Sequence, residues 1–164
     1  MSKTTKMLLA ALLCQLVMVT AGWGVETGET IPDFGIKTLS GASLSRASLS
    51  GRPLLLTFWN TWCPNCRKEL PEINRLAEKF AAKGLAVLAI NTGLNDSESK
   101  ARAFWKKNGF SFPAGFDHGF DIGESFGIQG VPTVLLVDAR GVVRYKSPLL
   151  PENMEERIRQ LTSK

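Results

Sequence analysis

Chemically versatile side chains are scarce in this 164-residue chain, which holds three cysteines, one histidine and one tyrosine. A zinc centre takes four ligands, and His118 with scattered carboxylates does not complete one around a cysteine pair, so no metal is expected. A glycine-rich phosphate loop and a dinucleotide fingerprint are also missing, and no other cofactor is expected. Charge of one sign is missing too. The formal net charge is +5, but Lys3 and Lys6 belong to the N-terminal segment, and the +3 left to the rest is too mild to argue for nucleic acid; basic residues are interleaved with acids, as in RKELPEINRLAEKF (67–80), the pattern of a solvated helix face. There is no repeat and no low-complexity run. Apolar residues at 44% and charged residues at 21% are ordinary for a chain that folds around a core, and the length suits one domain with a short appendage.

Long apolar stretches are confined to the N-terminus. Lys3 and Lys6 precede an uncharged run from Met7 to Val19, and Val19-Thr20-Ala21 then offers a small-residue end before Gly22. This reads as an export signal. The uncharged stretch from Met7 to Val25 is also long enough to span a bilayer marginally, so an uncleaved anchor stays open. Cys14 follows Leu13, where a lipoprotein signal needs a small residue, and it reads as one more hydrophobe of the segment. The chain divides into a signal peptide or membrane anchor (1–21), a linker (22–29) and a folded domain (30–164). Export places the domain where disulfides persist.

Within the domain, the residues up to Pro53 alternate apolar and polar around two glycine turns, which predicts a short hairpin. LLLTFW (54–59) and LAVLAI (85–90) are continuous apolar runs, as in strands buried on both faces. Between them Leu70, Ile73, Leu76, Ala77 and Phe80 recur at helical spacing from Pro64 to Lys83, with Gly84 as the stop and Pro71 expected to introduce a kink. A second helix, capped by Asp96 or Ser97, runs to about Asn108 before Gly109. The glycine- and phenylalanine-rich block that follows holds one helical turn near Glu124. TVLLVD (133–138) turns at 139–141 into VVRYK (142–146), and a helix from about Glu152 to Leu161 closes the chain. Strands alternating with helices imply right-handed crossovers, a sheet with parallel core strands and an antiparallel hairpin added.

Cys63 and Cys66 stand in FWNTWCPNCRKEL (58–70), where a strand gives way to a helix at the carboxyl edge of the sheet. A purely structural disulfide here would close a loop of a few residues and restrain the unfolded chain little. A redox pair makes positive use of the spacing, because one helical turn brings the two sulfurs together and Cys63 meets the unsatisfied N–H groups at the positive end of the helix. Its thiolate is thereby stabilised as the nucleophile, while Cys66, a turn further in, attacks the resulting mixed disulfide. Pro64 suits the first helical position, where its missing N–H has no partner to lose. Trp59 reads as packing. Trp62 reads equally as packing or as an apolar platform for a peptide.

FWNTWCPNCRKELPEINRL resembles the active-site segment of the thioredoxin superfamily, in particular its exported TlpA/ResA-like branch, which includes reductases of cytochrome c maturation. The likeness continues in IPDF, in LSGRPLLLTFW and in GIQGVPTVLLVDARGVVRY, and covers about Thr30 to Lys164. It implies an α/β thioredoxin fold: a mixed sheet with parallel core strands and an antiparallel C-terminal hairpin, helices on both faces, an extra N-terminal hairpin and a central helical insert. It also implies that Pro132 is a cis proline facing Cys63 and Cys66, and that Val131 offers free backbone groups to an extended substrate segment. Substrate contacts are thus expected at Trp62, Pro64, Val131 and Pro132, and catalysis at Cys63 and Cys66 through their redox-active disulfide.

The sequence departs from these relatives in two places. Thr57 stands where thioredoxin carries a buried Asp, and Asn91-Thr92-Gly93-Leu94 stands where many relatives carry a Glu. Water, Glu98 or Asp96 are left to accept the proton of Cys66. His118 reads as surface decoration, and the phenylalanines between 104 and 126 as packing. The reading is an exported thiol-disulfide oxidoreductase that reduces selected extracytoplasmic proteins, apocytochrome c among the candidates. It is expected to be a monomer that draws electrons from a membrane thiol reductase of DsbD/CcdA type. The rivals are a non-enzymatic module that binds clients or metal, and a thiol peroxidase. A peroxidase places its cysteine in Pro-x-x-x-Thr-x-x-Cys, whereas the residue seven before Cys63 is Leu56.

Overall fold

A computed structural model describes residues 24–163. The signal or anchor segment, Cys14 and Lys164 lie outside the described residues, among which no helix is long and apolar enough to cross a membrane.

The order is β1 (Gly35–Lys37), β2 (Ser43–Ser45), α1 (Arg46–Leu49), β3 (Leu54–Trp59), α2 (Pro64–Phe80), β4 (Ala86–Asn91), α3 (Glu98–Asn108), β5 (Ala114–Phe116), α4 (Asp121–Ser125), β6 (Thr133–Val137), β7 (Val143–Ser147) and α5 (Met154–Thr162). β1 and β2 form the N-terminal hairpin as a separate antiparallel pair, and the main sheet has the order β5-β4-β3-β6-β7. β4 is parallel to β3 and to β5, whereas β6 is antiparallel to both β3 and β7. This is the mixed sheet of the thioredoxin fold.

Every residue of β3 is buried, because the strand is central and both of its faces are covered. Leu55 and Trp59 point to one face, where they meet Leu70, Ile73 and Phe80 of α2, and Met154 and Ile158 of α5. Leu54, Leu56 and Phe58 point to the other, against Leu49 of α1, Phe34 and Phe126. Side chains of successive strand residues face opposite sides, so one uninterrupted apolar run feeds two cores. Each of the fully buried leucines and phenylalanines contributes roughly 1.5–3 kcal/mol of transfer free energy.

α2 buries Cys66, Leu70, Ile73, Leu76, Ala77 and Phe80 and continues through Pro71 as one helix, followed by a single tight turn over 81–83 and a left-handed Gly84 at φ 84°. α3 is capped by Ser97, whose hydroxyl accepts the Lys100 N–H, and ends at a left-handed Gly109. β5 is the element that the sequence left unassigned. It pairs with only three residues of β4, and Gly115 within it lies so close to Ile36 that a Cβ there would stand 2.5 Å from its Cδ1.

Each edge of the main sheet is capped in part by a segment from the N-terminal part of the domain, which shortens the unpaired edge. Thr38 bridges to Gly115 on the β5 side, and Thr30 to Val142 on the β7 side. Residues 24–29, read from the sequence as linker, run beside β7: Gly28 donates its N–H to the Val143 carbonyl and Val143 returns one to Glu29, each at 2.8 Å, and Val25 is buried.

Candidate active site

β3 delivers the chain to the carboxyl edge of the sheet, and the turn Asn60–Trp62 hands it to α2. Cys63 is the N-cap of that helix, with extended backbone at φ −80° and ψ 112°, and Pro64 takes the first helical position. The backbone N–H of Cys66 donates to the Cys63 sulfur at 3.1 Å. The two cysteines are joined as a disulfide with their Cα atoms 5.3 Å apart. Cys63 retains 3% of its surface and Cys66 1%, so the two differ less in burial than their positions suggest. What separates them is the N-cap geometry.

From across the sheet, the loop before β6 brings Val131 to the cysteines: its carbonyl oxygen is 3.6 Å from the Cys63 sulfur. The Val131-Pro132 peptide is cis. Both residues line an open groove of about 430 Å³ that continues through Gln129 and Gly130 to Ser147 and Pro148. Of the residues expected to touch substrate, Val131 is brought to the Cys63 sulfur by its carbonyl, Pro132 follows it in the groove lining, and Trp62 and Pro64 are the chain neighbours of Cys63. Trp62 is exposed, at 49%, and its indole N–H donates to the Leu94 carbonyl at 2.9 Å. Trp59 is fully buried, its ring centroid 5.3 Å from that of Phe104 and 5.2 Å from that of Trp105.

A polar network fastens this turn to the loop after β4. Asn60 donates to Asn91 Oδ1 at 3.2 Å and accepts from the Thr92 hydroxyl at 2.7 Å. Asp96 accepts the backbone N–H of Thr61 at 2.6 Å, its hydroxyl at 2.7 Å, the Asn91 side-chain amide at 2.8 Å and the Ser97 N–H at 2.9 Å. Burial pushes this carboxyl upward, but the hydrogen bonds from Asn91, Thr61 and Ser97 outweigh it and hold the group below its ordinary value. Arg67 completes the grip by donating to the Thr61 carbonyl from Nε at 2.8 Å.

Neither carboxylate suggested as proton acceptor is free for that task. Asp96 is saturated with donors, and Glu98 is paired with Arg102 at 2.5 Å and with His118 at 3.2 Å. Thr57 is buried in β3, with no carboxylate in its place. Glu69, three residues beyond Cys66 and so on the same helix face, accepts the Leu150 N–H at 2.8 Å. The clamp made by Asp96 could not have been found from the sequence, since a capping pattern before a helix is the only local signal that Asp96 carries. His118 is exposed and tilts over Phe116.

The AhpC/TSA family model matches residues 27–146. The chain is 32% identical to the thioredoxin-like protein YneN of Bacillus subtilis, over 92% of this chain and 95% of that one. It is 30% identical to the thiol-disulfide oxidoreductase ResA of Bacillus thuringiensis, over 84% of this chain and 80% of the relative. Among solved structures, a putative protein disulfide isomerase from Bacteroides thetaiotaomicron superposes with a TM-score of 0.77 at 28% identity, covering 85% of this chain and 92% of that one. The extent of these matches, on a thioredoxin fold with a cysteine pair at the head of its second helix, establishes that the chain belongs to the AhpC/TSA family, among the thioredoxin-like members related to ResA and YneN.

Proposed function

We propose that this thiol-disulfide oxidoreductase works outside the cytoplasm as a reductant of selected protein disulfides. The observation that carries the reading is the Cys63 sulfur at the helix N-terminus, receiving the Cys66 N–H at 3.1 Å. In the reduced protein the same N–H stabilises a thiolate on Cys63, and the thiolate is the attacking form. Cys63 attacks one sulfur of the client disulfide, and the other client sulfur leaves as a thiolate and takes up a proton. Cys66 then loses its proton and attacks Cys63. The mixed disulfide breaks, the second client thiol departs, and two electrons have passed to the client.

Val131 and Pro132 supply the edge along which an extended client segment lies, and Trp62 and Pro64 flank it. Apocytochrome c is the client class that the ResA likeness favours, with a membrane thiol reductase of DsbD/CcdA type returning the electrons. Residues 1–21 export the domain or anchor it. A peroxidase reading would require a proline where Leu56 lies buried within β3. Trapping tests the proposal: with Cys66 replaced by Ser, client proteins should remain disulfide-linked to Cys63, and dithiothreitol-driven insulin reduction by the unaltered protein should be accelerated. A binding module would accelerate nothing.

A further inference from the structure

The three residues that precede Cys63 are each tied to the loop after β4. Asn60 bonds Asn91 and Thr92, Thr61 bonds Asp96 through both its backbone N–H and its hydroxyl, and Trp62 bonds the Leu94 carbonyl. Such a run of contacts fastens together two segments more than thirty residues apart in a network whose bonds reinforce one another. The outcome at the surface is specific. Trp62 and Leu94 are, with Leu149, the exposed large hydrophobic residues among the described ones, at 49% and 47%, and the hydrogen bond between them makes them neighbours. The contact runs from the Trp62 indole N–H to the Leu94 main-chain carbonyl, and Trp62 adjoins the reactive Cys63 in the chain.

We propose that Asp96 is a positioning residue for disulfide exchange. It locks the Leu94 loop to the turn before Cys63, so that Trp62 and Leu94 form a preset apolar ledge, and Leu94 thereby selects clients with an apolar side chain beside the reacting cysteine. The inference rests on the disulfide-exchange reading of Cys63 and Cys66 and adds the class of client segment.

The geometry distinguishes this role from plain support of the fold. Asp96 spends its acceptors on Thr61, Asn91 and Ser97. Any client bonded to Cys63 places the residues next to its own cysteine against Trp62, because Trp62 adjoins Cys63 in the chain. A ledge already rigid before the client arrives avoids an ordering cost at binding, which is the gain that preorganisation confers. An apolar anchor on such a surface is worth about tenfold or more in selectivity.

The experiment compares the reduced protein reacting with insulin and with oxidised glutathione, which carries no apolar side chain beside its cysteine. The readout is the ratio of the two kcat/KM values. Asp96→Asn and Leu94→Ser should each lower that ratio about tenfold through KM for insulin, and Leu94→Met should restore it. The double variant should be no worse than Leu94→Ser alone within about twofold, because both act through one surface. Leu94→Ser changes an exposed side chain and keeps the test decisive even if Asp96→Asn folds poorly. An unchanged ratio in Leu94→Ser, or effects that multiply in the double variant, would overturn the inference while leaving the disulfide-exchange reading intact. Failure of the unaltered protein to reduce insulin would overturn that reading and this inference together.

Discussion

The backbone N–H of Cys66 points at the sulfur of Cys63 from 3.1 Å, and in the proposed exchange the second cysteine stabilises the first through its main chain before it acts through its own sulfur. The helix that begins at Cys63 thus gives different surroundings to two cysteines with nearly equal burial.

Reactivity should follow that difference. In the reduced protein Cys63 is expected to react with iodoacetamide well below about pH 8.5, the ordinary thiol value, and Cys66 is not. Mass spectrometry of the alkylated protein across a pH series checks this. Equal labelling of both thiols at every pH would contradict the helix-terminus argument.

The direction of electron flow follows from how weakly the thiolate is held. Pro64 has no N–H to offer, and Arg67 is turned away to the Thr61 carbonyl at 2.8 Å and lies over the Phe104 ring. Modest stabilisation of the thiolate leaves the disulfide comparatively hard to reduce. The expected potential is about −200 mV or lower, on a scale where thioredoxin lies near −270 mV and DsbA near −120 mV. Equilibration with glutathione buffers measures it, and a value close to that of DsbA would make the protein an oxidant.

Stability at acid pH should depend on Asp96. Its carboxyl is held below the ordinary 3.8 by hydrogen bonds that outweigh its burial. A folded value below the unfolded one means that its contribution is fully present above the unfolded value and is lost as pH falls through the folded one. The stability difference between the protein and Asp96→Asn, read by urea denaturation, is therefore expected to hold above about pH 5 and to shrink as pH falls below it. A difference that stays constant as pH falls would show that the charge of Asp96 contributes nothing.

Gly115→Ala should cost stability without touching the cysteines. The added methyl would stand 2.5 Å and 2.6 Å from side-chain carbons of Ile36, which is buried. Overpacking of this kind costs about 1–3 kcal/mol. Thermal melting should show the loss, while the potential of the Cys63–Cys66 couple stays as it was; a shifted potential would mean that β5 is coupled to the site.

Much of the architecture was legible because it is local. The two continuous apolar runs became β3 and β4, the spacing from Leu70 to Phe80 became the buried face of α2, and Ser97 and Gly109 bound α3 as capping chemistry requires. The resemblance carried the cis Val131-Pro132 bond and the fold name. β5 escaped notice because three residues with a glycine at the centre have no period to read, and the strand exists only because β4 and the N-terminal hairpin flank it.

By itself, then, the sequence determined that a cysteine pair heads a helix behind a buried strand, since capping, helical spacing and apolar periodicity act over a few residues. The tertiary structure alone decided what surrounds that pair. It brought the Val131 carbonyl to 3.6 Å from Cys63, committed Asp96 to Thr61 rather than to a helix cap or a proton, and set Leu94 beside Trp62. These partners stand more than thirty residues apart in the chain, and their meeting depends on how the two cores pack and how the strands are ordered, which no short window of sequence contains.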